Sequence, residues 1–443
     1  MIPYRDIYSK YGPFDVLVFR DGPYAVAIDR KGRLIAKDTD HASVIQEAIN
    51  FLAEKKPPGG LIFIGSGIYY IYKTIKVISP SVTIMGAGTI GTEADKGTVL
   101  KLADDANCDI IEVPYPSYKV RITNLVIDGN KSKQTKSGIR GVYYHAGAPE
   151  DAHIDNIYIV NVKGPPLVIE GWHGFITNVW VEDSDDYVYI KGNRYSIIAL
   201  NVYDSYGIWV EAGAKHNRLI GCYIWRTHET GIVVRGERNI VKGCIVDEAY
   251  GNGIILWGAH RSSVIGCIVY APSLAENNVS YGIYLLGTAY ARVIGNAVYT
   301  DQDNKPKYGI FLDSDTHDNI VMCNYIEGWA TSPLLDKGSN NVIKWNKGYI
   351  TEKTGVAVLS GDGTATDFLI GKHGLTPIIN DPTKAIVKCT PASPDAIAAS
   401  PVACYLSDED GDGVYESIRA KFASAPPSGT DNVKVVWEVE YIG

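Results

Sequence analysis

Acidic residues recur at one kind of place in this chain. The stretch EDSDD carries Asp183, Asp185 and Asp186, and Asp204 follows it. RTHETG then carries His228 and Glu229, and VDEAYG carries Asp247 and Glu248. Each group precedes a short apolar run: YVYIKG, GIWVEAG, GIVVRG or GIILWG. Carboxylates and an imidazole can take and return protons at a bound substrate, and two carboxylates about 5–9.5 Å apart suffice for glycoside hydrolysis. The runs themselves add Lys191, Glu211 and Arg235. We therefore take Asp185, Asp186, Glu211, His228, Glu229 and Arg235 as the candidate acid–base set. Elimination is a second chemistry open to the same stretch: Arg235 or Lys191 as base, with Asp183, Asp186 and Asp204 around a Ca²⁺. A lone Asp pair in a turn also reads as a solvated corner.

What would bring these residues together is a repeat. NRLIGCYIW, RNIVKGCIVD, SSVIGCIVY, ARVIGNAVY, DNIVMCNYIE and NNVIKWNKGY align on Cys222, Cys244, Cys267, Asn296, Asn324 and Asn346. The same register extends back to Asn124, Asn156, Asn178 and Asn201, in steps of 32, 22, 23, 21, 22, 23, 29, 28 and 22 residues. A period near 22 with occasional insertions is a solenoid. Each period holds about three short strands with glycine at the corners, which predicts stacked parallel β coils about 4.8 Å apart. The Asn and Cys positions then form one internal column, with Asn tolerating a left-handed corner and Cys filling the slot as a buried thiol.

Alternation within the repeated runs predicts Ile190, Val210, Val234, Leu256, Leu285 and Leu312 facing the core. Facing out are Tyr189 and Lys191, Trp209 and Glu211, Val233 and Arg235, Ile255 and Trp257, Tyr284 and Leu286, Phe311 and Asp313. Sugar rings stack on aromatic faces, so Tyr189, Lys191, Trp209, Trp257 and Tyr284 are the candidate substrate-binding residues. The same apolar strip would equally suit contact between subunits of a homotrimer.

The pattern over roughly residues 38–350 resembles the right-handed parallel β-helix of the pectate lyase-like superfamily, which includes polygalacturonases and viral tailspikes. TDHASVIQEAINFLAEKKPPGGLIFIGSGIYYI resembles its entry segment, with Asp40 capping a helix that buries Val44, Ile45, Ala48, Ile49 and Leu52. The resemblance implies that this helix plugs the open end of the solenoid, and that the runs beginning Gly-Ile floor the substrate cleft. NVWVEDSDDYVYIKG is similar to the polygalacturonase phrase with an Asp pair, which would make Asp186 the general acid. The other signatures of that family are missing: KGPPLVIEG stands where Asn-x-Asp is expected, SYGIWVEAG lacks the catalytic His, and no Arg-x-Lys follows.

The expected fold class is therefore all-β: an N-terminal hairpin region at 1–37, the β-helix at 38–350 and a C-terminal β-sandwich domain at 351–443. In the last, DEDGDGVYE spaces Asp408, Asp410 and Asp412 like a calcium loop, with Glu416 as a further ligand for a structural Ca²⁺ and Arg419 where an EF-hand has Glu. No other cofactor is required. DTHDN (Asp315, His317, Asp318) reads as a polar corner, and His145, His153, His173, His216 and His260 are scattered. Seven cysteines match no zinc spacing and read mostly as free, buried thiols.

A net charge of −8 argues against a nucleic-acid partner. There is no membrane span, and MIPYRDIYSKYGPFDVLVFRDG does not read as a secretion leader. With 30 Tyr, 45 Gly and 3 Met the composition favours many short strands and turns. The expected function is polysaccharide recognition at a virion or other extracellular surface, tailspike-like, with glycan cleavage by a hydrolase or lyase as the alternative. A structural fibre or adhesin is the third reading.

Overall fold

The computed structural model describes residues 13–89, 97–144 and 150–442. His145 and residues 1–12 of the expected N-terminal region lie outside them. Eleven parallel strands, from Ile75–Lys76 to Ser332–Asp336, form the first face of a solenoid. Ile190, Val210, Val234, Leu256, Leu285 and Leu312 follow one another in register and are fully buried. The period-2 pattern had placed them there, because one side of each strand must close the core. The glycine that opens these runs is a matter of space. A Cβ on Gly253 would lie 2.2 Å from Val269 Cγ1 and 2.6 Å from the Gly282 carbonyl of the next coil.

The second and third faces belong to one bent 22-stranded sheet. In early coils a single strand serves both, as in Trp172–Glu182 and Asn193–Tyr203. In later coils it splits, as in Arg218–Ile220 and Tyr223–Trp225. Here the expected single column fails. The left-handed corner is occupied by Asn124, Asn156, Asn178, Ala199, Gly221, Gly243, Gly266, Gly295, Cys323 and Trp345, with φ between 49° and 66°. Cys222, Cys244, Cys267, Asn296, Asn324 and Asn346 sit one residue later, inside the core. Asn201 belongs to neither column: it pairs with Trp180 and Tyr223 on the outer surface, because Leu200 and Val202 take the inward positions. The register of the first face does not depend on this column and is unaffected.

At the N-terminus, Val16–Asp21 pairs antiparallel with Tyr24–Asp29 and parallel with Gly60–Ile64, so the hairpin extends the solenoid's own sheet. The helix His41–Ala53 is capped by the Asp40 carboxylate, which accepts from Ser43 N at 3.2 Å. It buries the five residues expected. At the C-terminus, two three-stranded antiparallel sheets share a core, with Trp437 and Val439 of one against Leu406 and Ile418 of the other. All seven cysteines are unpaired, but only Cys222, Cys244 and Cys267 are buried. Cys323 is exposed and the other three are half-buried, fewer sealed thiols than expected.

Candidate functional site

On the first face the strands place Tyr189 beside Trp209, Trp209 beside Val233, and Ile255 beside Tyr284 and then Phe311. Tyr187, at the corner where the strand begins, packs edge-on against Tyr206 at 5.6 Å and Trp209 at 5.3 Å. Two carboxylates reach this cluster from corners two coils apart. Tyr189 donates its hydroxyl to Asp186 Oδ1 at 2.8 Å, and Tyr187 donates to Glu229 Oε2 at 3.1 Å. Burial, reinforced by these carboxylates, pushes both phenols well above their ordinary range. They therefore stay protonated and hold the acids in fixed positions. His228 sits edge-on to Tyr206 at 5.4 Å, exposed at the rim.

Next along the face, the Arg235 guanidinium lies 4.2 Å from the Trp257 ring and 5.8 Å from the Trp209 ring. Its planar cation between two indoles is fixed by π contacts while its N–H edge stays available to an anion. Lys191 stands 3.8 Å from Glu170 and 5.6 Å from the Tyr189 ring. Glu211 is half-buried on the same strand line, and its charge also raises Tyr189. Further on, Tyr284 donates to Asp313 at 3.0 Å within a stack of Tyr281, Tyr308 and Phe311. Of the outward positions expected, Val233 and Phe311 are covered by their larger neighbours and bury to 2% and 4% exposure.

Asp185 is the catalytic candidate that leaves the cluster. It shares Lys131 with Asp183, at 3.2 and 2.5 Å, and ties the corner to an earlier coil. The elimination arrangement is not formed either. Asp183 pairs with Lys131, Asp204 faces Arg226 at 3.6 Å and Asp186 takes the Tyr189 hydroxyl. Among the described residues the group of acids close enough to share an ion is Asp408, Asp410 and Glu416, within 4.8 Å of one another. Asp412 is not part of that group; like Asp408, which accepts from Gly411 N and Gly413 N, it bonds its own loop, accepting from Val414 N at 2.8 Å. Tyr187, Tyr206, Tyr281 and Tyr308 were missed by sequence reasoning. The signal was available: three of them stand in a repeated Tyr-Gly-Ile, immediately before the close-packed glycine. His317, in the polar corner, lies 2.8 Å from Asp318 and edge-on to Tyr290.

Coils of three strand faces, stacked in parallel around a sealed core, define a right-handed parallel β-helix. The sequence pattern of the family described as Right handed beta helix region matches residues 115–298 and 206–368, together more than half of the chain, and the protein belongs to that family. Among solved structures, the mannuronan C-5 epimerase AlgE6 A-module of Azotobacter vinelandii is similar with a TM-score of 0.53 at 17% identity, over 69% of this chain and 94% of that one. Tailspike protein 2 of the Escherichia coli O157:H7 bacteriophage CAB120 is similar with a TM-score of 0.51 at 12% identity, over 82% of this chain and 50% of that one. At such identities the likeness speaks for the fold. No curated protein matches the sequence. No helix among the described residues is long and apolar enough to cross a membrane.

Proposed function

We propose that this protein recognises polysaccharide along its first face, as a tailspike-like component of a virion or other extracellular surface. The observation that carries the reading is the aromatic cluster of Tyr187, Tyr189 and Trp209 gripping two carboxylates, with Arg235 held between two indoles beside it. Tyr187 is buried and serves as support, whereas the half-buried Tyr189 and Trp209 and the exposed Trp257 offer rings that suit the C–H faces of pyranoses. The Arg235 cation suits a uronate or other acidic group, while Lys191 is shared with Glu170. Support at the level of fold comes from one neighbour named as an epimerase of mannuronan and another named as a tailspike. Asp186 and Glu229 are the pair through which bound glycan would be cleaved, one giving a proton to the leaving oxygen and the other activating water. Parallel association into a homotrimer goes with the tailspike reading.

Binding of oligomannuronate and oligogalacturonate, followed by calorimetry, tests this. Trp257→Ala should weaken it at least about tenfold, the loss of roughly 1.4 kcal/mol expected when a stacking surface is removed. Reducing ends released by the native chain and abolished by Asp186→Asn would establish hydrolysis, and new absorbance from unsaturated uronates would establish elimination. Binding without either leaves recognition alone, and no binding to any acidic glycan defeats the proposal. Mass in solution decides the trimer.

A structural Ca²⁺ is proposed separately at Asp408, Asp410 and Glu416. Its ligands would be hard carboxylate oxygens, with Asp410 exposed and Asp408 and Glu416 half-buried. Added Ca²⁺ should raise the melting temperature of the C-terminal sheets, and Asp410→Asn should remove the rise.

A further inference from the structure

The third face carries a second aromatic surface that the first-face reading does not use. Trp180 is 44% exposed and stacks on Tyr203 at 5.1 Å and 18°, and Tyr203 meets Trp225 on the next coil. Beside Trp180 lies a groove of about 320 Å³ lined by Tyr158, Trp180, Glu182, Asn156 and Asn178. That volume is at the lower end of the roughly 300–1,000 Å³ of small-ligand pockets. Its polar groups are fixed in advance: Tyr158 donates its hydroxyl to Glu182, and Asn178 donates to Asn156 at 2.9 Å.

Its charge differs from that of the first face. The neighbouring cations are engaged in ion pairs: Lys101 with Asp128, Lys131 with Asp183 and Asp185, and Arg226 with Asp204. Glu182 and Asp247 take tyrosine hydroxyls instead. Tyr158 is pushed up by burial and then by Glu182. Glu182 is the one charged group in the groove's lining and has no cation partner among the described residues, so the groove itself carries a net negative charge. A uronate would be repelled here, whereas hydroxyl groups would find acceptors in Glu182 and both donors and acceptors in the two amides.

The neighbouring face has a different chemistry. On the second face Ile198, Ile220, Ile265 and Ile294 form an aliphatic line interrupted by Lys242. Aliphatic branches offer no ring face to a sugar, so along these coils the stacking surface on this side of the solenoid is confined to the third face. We propose that the groove on the third face is a second glycan-binding site, taking a neutral pyranose oligosaccharide stacked on Trp180 with its hydroxyls on Glu182, Asn156 and Asn178.

The test is calorimetry of the full chain with cellohexaose, N-acetylchitohexaose and maltohexaose, with hexamannuronate as competitor. At least one neutral hexasaccharide should bind with a Kd below about 1 mM. Trp180→Ala should raise that Kd at least about tenfold, and Glu182→Gln about threefold. Phe175→Ala, on the second face, should leave it unchanged, and hexamannuronate should not displace the ligand. Acidic-glycan binding at the first face should survive Trp180→Ala, so the two sites fail independently. Any of three results overturns the proposal. One is no neutral hexasaccharide bound at about 10 mM. Another is native affinity in both Trp180→Ala and Glu182→Gln. The third is an oligomer that dissociates on Trp180→Ala, which would assign the face to a second copy.

Discussion

The early and late coils of the solenoid turn the same corner with different chemistry. At Asn124, Asn156 and Asn178 one residue does two jobs: it takes the left-handed backbone, and its amide bonds the equivalent Asn of the neighbouring coil. From Gly221 onward the jobs are divided. Glycine takes the left-handed position as far as Gly295, and Cys323 and Trp345 take it in the last two coils, while the polar residue moves one place inward to Cys222, Cys244, Cys267, Asn296, Asn324 and Asn346. The early ladder is therefore open to water at Asn178, while the late one is sealed. A stacked coil needs a left-handed turn and a way to satisfy its polar groups, but not from the same side chain. What differs is the penalty for error, since a buried donor left alone finds no water to replace its partner.

The largest effect should come from the sealed ladder. Asn324 Oδ1 accepts from Asn296 N at 2.9 Å and Asn296 Nδ2 at 3.0 Å, while its own Nδ2 donates to Val293 O at 3.0 Å. Asn324→Ala leaves these groups buried and unpaired and should cost about 3 kcal/mol or more. Asn178→Gly keeps the left-handed turn, loses one water-exposed bond, and should cost about 0.5–1 kcal/mol. Urea denaturation of the two variants checks the ratio. Equal losses would mean that the two halves are not built differently. Next comes Gly243→Val, which forces a β-branched residue to φ 59° and should cost about 1–2 kcal/mol. An open space around Gly243 excludes a clash as the cause.

This division explains what the sequence disclosed and what it hid. The first face was legible because period-2 alternation and the close-packed glycine both mark it, and every inward residue named there is buried. The helix cap at Asp40 was legible for a similar local reason. The corner was misread because Asn identity was followed in place of alternation. The step from Asn178 to Asn201 is one residue too long for the inward column, and the step to Cys222 is one too short. Those errors cancel, so a shift from one column to another looked like a single repeat. Asp185 and Asp186 were indistinguishable as neighbours in a turn. Only the fold shows Lys131 drawing one away while Tyr189 holds the other. The third-face aromatics went unread because their rings come from positions that only coil stacking brings together.

Ala199 is the position where the early scheme lacks both devices. It holds φ 52° with neither the polar side chain of Asn nor the freedom of Gly. Ala199→Gly should relieve a left-handed strain of about 1–2 kcal/mol and lose about 0.5–1 kcal/mol to the freer unfolded chain. A net gain of about 0.5 kcal/mol is expected. A thermal melt showing destabilisation instead would place the strain elsewhere.

The smallest difference is one of pH. An early coil is also held from outside by Asp155, which accepts from Arg121 Nε at 2.8 Å and Thr123 Oγ1 at 2.8 Å. Burial alone would raise this carboxyl, but the guanidinium and hydroxyl outweigh it and hold it below the ordinary range. The unfolded chain therefore binds the proton more tightly than the folded one. The stabilisation is present above about pH 4, the unfolded value, and is lost as pH falls through the folded value. Arg121 is half-exposed, which limits the effect to about 0.5 kcal/mol, or a two- to threefold loss of amide protection. Hydrogen exchange between pH 6 and pH 3, corrected for intrinsic rates, should show that extra loss at residues 153–159. The Asn296–Asn324–Asn346 ladder contains no group that titrates there, so the backbone amides of those three residues should lack it. Arg121→Gln should remove the difference between the halves, because it removes the cation that lowers Asp155. A pH response that persists in that variant would mean that another carboxylate sets the acid sensitivity of the early coils.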